Sequence, residues 1–243
     1  MKAIEPKKAL STLINLYSGN RCPHEQSCAC RASDWCPKAN GSETKAERDY
    51  PMLHLAGCSF GYDRCCCRVL DEIEALAHEF LDSAGISDPP VPIEMISLCD
   101  SRRPIEMRLL PLKAYFGCAW FLGNEWIVHL NSNNPPEVNR FTAFHEGFHI
   151  VCSNSGISFS KVDNRCRPLG ERLADYFAAS MLMPRQFVQE LWPQVQDIEE
   201  MATRFGAPRI MMSDWLQRLG FLPVLTEDDQ SVKTSSGLAL YPQ

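Results

Sequence analysis

No run of 18 uninterrupted apolar residues occurs in the 243-residue chain, so no helical membrane span is expected. A basic excess is lacking too. Against 24 Lys and Arg stand 30 Asp and Glu, leaving a formal charge of −6, which argues against the phosphate-neutralising surface that nonspecific nucleic-acid binding requires. The N-terminus carries Lys2, Lys7 and Lys8, but the stretch from Ala9 to Tyr17 is short and broken by Ser, Thr and Asn. It reads as a short amphipathic helix and not as a secretory leader. A cytoplasmic location is therefore expected, with no membrane partner and no direct nucleic-acid partner. No internal repeat is visible. A hydrophobic content of 45% over this length suffices for one good core plus a small appendage.

The most informative stretch present is Phe141-Thr-Ala-Phe-His145-Glu146-Gly-Phe-His149-Ile150. In HExxH the two His are four residues apart and share a helix face, so both imidazoles can bind one metal ion. Glu146, about 100° round the helix from His145, falls beside that ion, where it can act as a general base toward water. Neutral imidazole ligands, an open coordination position and a nearby carboxylate are what a zinc hydrolase needs.

A third protein ligand is required. The HExxHxxGxxH pattern would place a His at 155, but that residue is Ser155. The alternative is a carboxylate from a second helix, for which Glu171-Arg-Leu-Ala-Asp175-Tyr-Phe-Ala-Ala-Ser-Met-Leu-Met-Pro184 offers the composition. Ala174, Phe177, Ala178, Met181 and Leu182 recur at helical spacing and supply a face to pack against the HExxH helix. Glu171 and Asp175 share another side. Glu171 would complete a His2Glu set, and Asp175 could accept the second ring N–H of one His and fix its tautomer.

The run Arg140 to His149, followed by Glu171-x-x-Ala174-Asp175-x-Phe177-Ala178-Ala179-x-Met181-Leu182-Met183-Pro184, resembles the ImmA/IrrE family of metallopeptidases. The likeness extends to Pro89-Pro90-Val91-Pro92-Ile93-Glu94, to the strand-like Trp126 to Asn131, and to the stretches Ile198 to Gly206 and Met212 to Gly220, about residues 70 to 222 in all. The resemblance implies a gluzincin-like α+β fold, a zincin-like core with a small antiparallel sheet packed on helices. It also implies cleavage of a helix-turn-helix repressor as protein substrate. Two positions depart from the family pattern: Gly147-Phe148 stands where Leu-Gly is usual, and Asp175 where Asn is usual. Neither removes a proposed ligand or the base.

Twelve cysteines are many for a compartment in which thiols stay reduced. Eight of them, Cys22, Cys28, Cys30, Cys36, Cys58, Cys65, Cys66 and Cys67, crowd a segment with few long aliphatic side chains. That density suggests a small module clamped by a second metal site, zinc or an iron–sulfur cluster. The spacings match no named ligand signature, and a redox-active thiol cluster or a disulfide-bearing segment remain alternatives. Cys99, Cys118, Cys152 and Cys166 read as small core residues.

The expected organisation is a Cys-rich segment over residues 1–68, a metallopeptidase core over 69–190, its C-terminal helical part over 191–222, and a flexible tail over 223–243. Within it, Val69 to Ser83 reads as an amphipathic helix ended by Gly85. Ile105 to Leu109 alternates like a strand, and Gly123-Asn124 marks a hairpin. The family likeness suggests that the strand Ile127 to Asn131 pairs with extended substrate, with His129 and Asn131 as contacts. Tyr176, Arg172 and His129 are candidate oxyanion donors. The reading is a zinc-dependent endopeptidase with water activated by Glu146 on zinc held by His145, His149 and Glu171. The alternative is a noncatalytic repressor-binding or metal- or redox-sensing regulatory protein.

Overall fold

The structure is a computed structural model that describes residues 64–113, 115–155 and 169–223. Cys22, Cys28, Cys30, Cys36, Cys58 and Cys166 lie outside the described residues, as does the tail from 224 onward. Cys65, Cys66 and Cys67 fall on the first turns of a described helix, but their side chains lie outside the description.

That helix, α1 (Arg64–Ala84), ends where Gly85 takes φ 68°, the left-handed conformation favoured for glycine after a helix. A 3-10 helix (Ile93–Cys99) follows, then β1 (Ile105–Leu110), β2 (Gly117–Leu122) and β3 (Glu125–Asn131). The remaining elements are α2 (Pro136–Asn154), α3 (Leu169–Leu182), α4 (Arg185–Val195), α5 (Ile198–Phe205) and α6 (Arg209–Arg218). Within the expected C-terminal helical part, α5 and α6 are separated where Gly206 takes φ 59° and Pro208 caps the start of α6.

The expected antiparallel sheet is mixed instead. Strand order is β1-β3-β2: β2 and β3 form the antiparallel hairpin around Gly123, while β1 pairs parallel with β3. The most buried strand takes the centre, with Trp126, Ile127, Val128 and Leu130 buried. The chain from β1 reaches β2 by crossing the end of β3, and Asn131 holds that crossing. Its amide donates to the carbonyls of Leu112 and Tyr115, both at 3.0 Å, and its Oδ1 accepts from the Leu112 N–H at 3.2 Å. Asn131 is thus committed to the fold.

α2 runs through the middle of the core, with Phe141, Phe144 and Phe148 fully buried. Pro135 and Pro136 set its start, and the Asn139 amide donates to the Asn131 carbonyl at 3.1 Å, tying strand end to helix start. The α1 stripe of Ile73, Leu76, Ala77, Phe80 and Leu81 is buried, with Phe80 edge-on to Phe177 of α3. Phe177 in turn meets Phe148 at 5.5 Å, so α3 is held between α1 and α2. Gly147 has a local reason: a Cβ there would sit 2.9 Å from Cys99 Sγ, so the 3-10 helix lies directly on the α2 backbone.

Candidate metal centre

His145 and His149, one turn apart on α2, meet Glu171 from the first turn of α3. The two Nε2 atoms are 3.2 Å apart, and each lies 3.4 Å from a different oxygen of Glu171. The three ligand atoms fall within 4.8 Å of one another, a convergence that could hold one metal ion. Helix periodicity brings the two His together, but only the packing of α3 on α2 brings in Glu171.

Asp175, one turn beyond Glu171, takes the other side of His145, with Nδ1 at 2.8 Å from Oδ1. The carboxylate accepts the ring N–H, which directs the Nε2 lone pair toward the cluster. Burial disfavours a charged His145. The hydrogen bonds to Asp175 and Glu171 and the charges of Asp175 and Glu146 outweigh that and push its pKa up to about 9. For Glu146, burial raises the carboxyl pKa and the Glu171 charge adds to the rise; the charge of His145 and the Ala119 backbone N–H oppose it. Three carboxylates thus face two imidazoles in a cluster of which His145 and Asp175 are buried and Glu146, His149 and Glu171 half-buried. Two imidazoles and carboxylate oxygens converging in this way are donors that a divalent cation fits.

The proposed oxyanion donors fare differently. The Tyr176 hydroxyl donates to Glu74 on α1. His129 lies on the sheet face opposite to that of the buried Val128 and Leu130, across from Cys118 and Arg108. The Arg172 side chain lies outside the described residues. Among the other cysteines, Cys99 and Cys152 are buried with thiol pKa values raised by burial, as small core residues would be. Cys118 is only half-buried and accepts the Trp120 indole N–H at 3.0 Å.

Sequence reasoning did not find the strand that faces this centre. β3 is paired on both sides, so it cannot take the suggested role of pairing with substrate. The strand beside α2 with an open edge is β2. A Cβ on Gly117 would lie 2.5 Å from Thr142 Cγ2, and the Ala119 N–H faces Glu146.

An HExxH helix crossed by a carboxylate-bearing helix, with a small sheet alongside, defines a zincin-like metallopeptidase fold with a potential metal site. Residues 107–214 match the family model Peptidase_M78, the IrrE N-terminal-like domain, and this match supports the resemblance to the ImmA/IrrE family of metallopeptidases. No curated protein matches the chain. No helix among the described residues is long and apolar enough to cross a membrane.

Proposed function

We propose that this protein is a zinc-dependent endopeptidase acting on a helix-turn-helix transcriptional repressor. The observation that carries the peptidase reading is the convergence of His145, His149 and Glu171 beside the half-buried Glu146. His145, His149 and Glu171 would hold the metal, which when bound supplies Lewis acidity toward a peptide carbonyl and toward water. Glu146 takes the proton from the attacking water and returns it to the leaving amine. A carboxyl whose pKa is raised toward the working pH suits both transfers. Asp175 keeps His145 in the tautomer that presents Nε2 to the ligand cluster.

Substrate is placed along β2 instead of β3, since among the described residues only β2 combines an open edge with a position beside Glu146. The repressor as substrate rests on the family likeness. The Cys-rich segment is proposed as a metal or redox sensor of the same activity, and equal cleavage under oxidising and reducing conditions would remove that part of the reading.

The first test is metal content per chain, with wild type compared to folded His149→Ala. Loss of about one zinc supports the site, and unchanged content overturns it. The second is derepression by Glu146→Gln. If this variant stays folded and derepresses as well as wild type, the protein binds its repressor without cutting it and the peptidase reading fails.

A further inference from the structure

β2 ends in Trp120-Phe121-Leu122, which are 59%, 47% and 66% exposed. Three consecutive large apolar residues this exposed on a strand mark a surface used for contact. Phe121 is accounted for within the fold: its ring lies 5.1 Å from that of Trp126, and the Arg103 guanidinium sits 4.9 Å above it. Trp120 and Leu122 are different. Strand alternation puts them with Cys118 on the outer sheet face, opposite to Ala119 and Phe121, where the Trp120 indole N–H reaches Cys118 Sγ at 3.0 Å and most of both side chains is left at the surface.

The hydrogen-bond parity of β2 is set at its start, where the Asn131 N–H donates to the Phe116 carbonyl at 3.0 Å. Even-numbered residues therefore bond to β3, and residues 117, 119 and 121 turn their N–H and C=O groups to the open edge. That edge is continuous with the proposed catalytic cleft, since Gly117 abuts Thr142 and the Ala119 N–H faces Glu146.

We propose that the substrate is held as an extended segment on the edge of β2, and that Trp120 and Leu122 form an apolar lip selecting large apolar side chains at two alternate positions of that segment. The proposal rests on the peptidase reading and names the peptides that site prefers. Paired residues of adjacent strands place their side chains on the same face, with Cβ atoms about 5 Å apart, so residues opposite Trp120 and Leu122 lie against them. Trp120 is one residue and Leu122 three residues beyond Ala119, a reach of about 10 Å at the rise of a strand. A segment laid antiparallel to β2 therefore brings both selected positions to the N-terminal side of the scissile bond. A helix leaves no backbone groups for the edge to bond, so the cleaved segment is a locally extended stretch and not an intact helix.

The experiment uses the full chain loaded with zinc and a set of internally quenched decapeptides of strand-forming sequence, with Leu exchanged for Ala at each position in turn. Expected is a kcat/KM about three- to fivefold higher for Leu at two alternate positions N-terminal to the cut, expressed in KM. Trp120→Ser and Leu122→Ser should each bring the ratio at one of those positions to about one. In parallel, anisotropy with Glu146→Gln measures binding of the same peptides without hydrolysis. Cleavage without positional preference, or a preference that both lip variants keep, overturns the lip. If no peptide is cut but the binding ranking persists and disappears in the lip variants, the lip stands and the peptidase reading falls. If neither cleavage nor a ranking is seen, both fall.

Discussion

Two polar clusters hang from neighbouring residues of α3, and they are built on opposite principles. On one side Asp175 and Glu171 join His145, His149 and Glu146; on the other Tyr176 joins Glu74, Arg185 and Arg218. In the second cluster the one carboxylate is paired inside the protein. Arg185 makes two hydrogen bonds to Glu74 at 2.7 and 2.8 Å, and Arg218 lies 4.5 Å over the Tyr176 ring. Burial raises the Glu74 pKa, but Arg185 and Tyr176 outweigh it and the net shift is downward; Arg185 is shifted upward, mainly by its hydrogen bond to Glu74. Each partner holds the other in its charged form. In the first cluster the carboxylates outnumber the imidazoles, and Glu146 is pushed toward its neutral form. A carboxylate held by guanidinium groups clamps helices, and one whose pKa is raised beside converging imidazoles is suited to proton transfer.

The largest effect expected from this contrast is on catalysis. Glu146→Gln should lower kcat by about 10²- to 10⁴-fold while zinc content stays at the wild-type level, measured on a peptide and by metal analysis of the same sample. Removing the ring partner by Asp175→Ala should weaken zinc binding by about 10- to 100-fold in competition with a chromophoric chelator. Glu74→Gln in the second cluster should lower stability by about 1–3 kcal/mol in urea and leave zinc affinity alone. A loss of zinc affinity in Glu74→Gln equal to that of Asp175→Ala would show that the two clusters are not independent.

A pH series sharpens the comparison. His145 has a folded pKa of about 9, above its unfolded value near 6.5, so it favours folding of the metal-free protein. That contribution is complete below about pH 6.5 and is lost as pH rises through about 9. The metal-free Tm should therefore fall across this window. Zinc must displace the proton and should bind more tightly over the same range. The smallest effect lies at Gly147. Alanine there gains about 1 kcal/mol in helix propensity yet meets Cys99 Sγ, so Gly147→Ala should destabilise alone and become neutral or better in combination with Cys99→Ala.

Sequence alone determined what is local. The i, i+4 spacing of His145 and His149, the i, i+4 spacing of Glu171 and Asp175, and the apolar stripes of α1 and α3 are consequences of helix period, legible before any contact is known. So is the turn at Gly123. What depends on one element meeting another was not legible. The parallel pairing of β1 with β3 follows from Asn131 holding the crossing over the strand end, and local alternation carries no information about which strand takes the centre. Tyr176 and Asp175 are adjacent in sequence, and only the packing of α3 between α1 and α2 sends one hydroxyl to Glu74 and the other residue's carboxylate to His145. The open edge of β2 beside Glu146 is likewise a product of tertiary structure, because hydrogen-bond parity exists only once a partner strand and its register have been chosen.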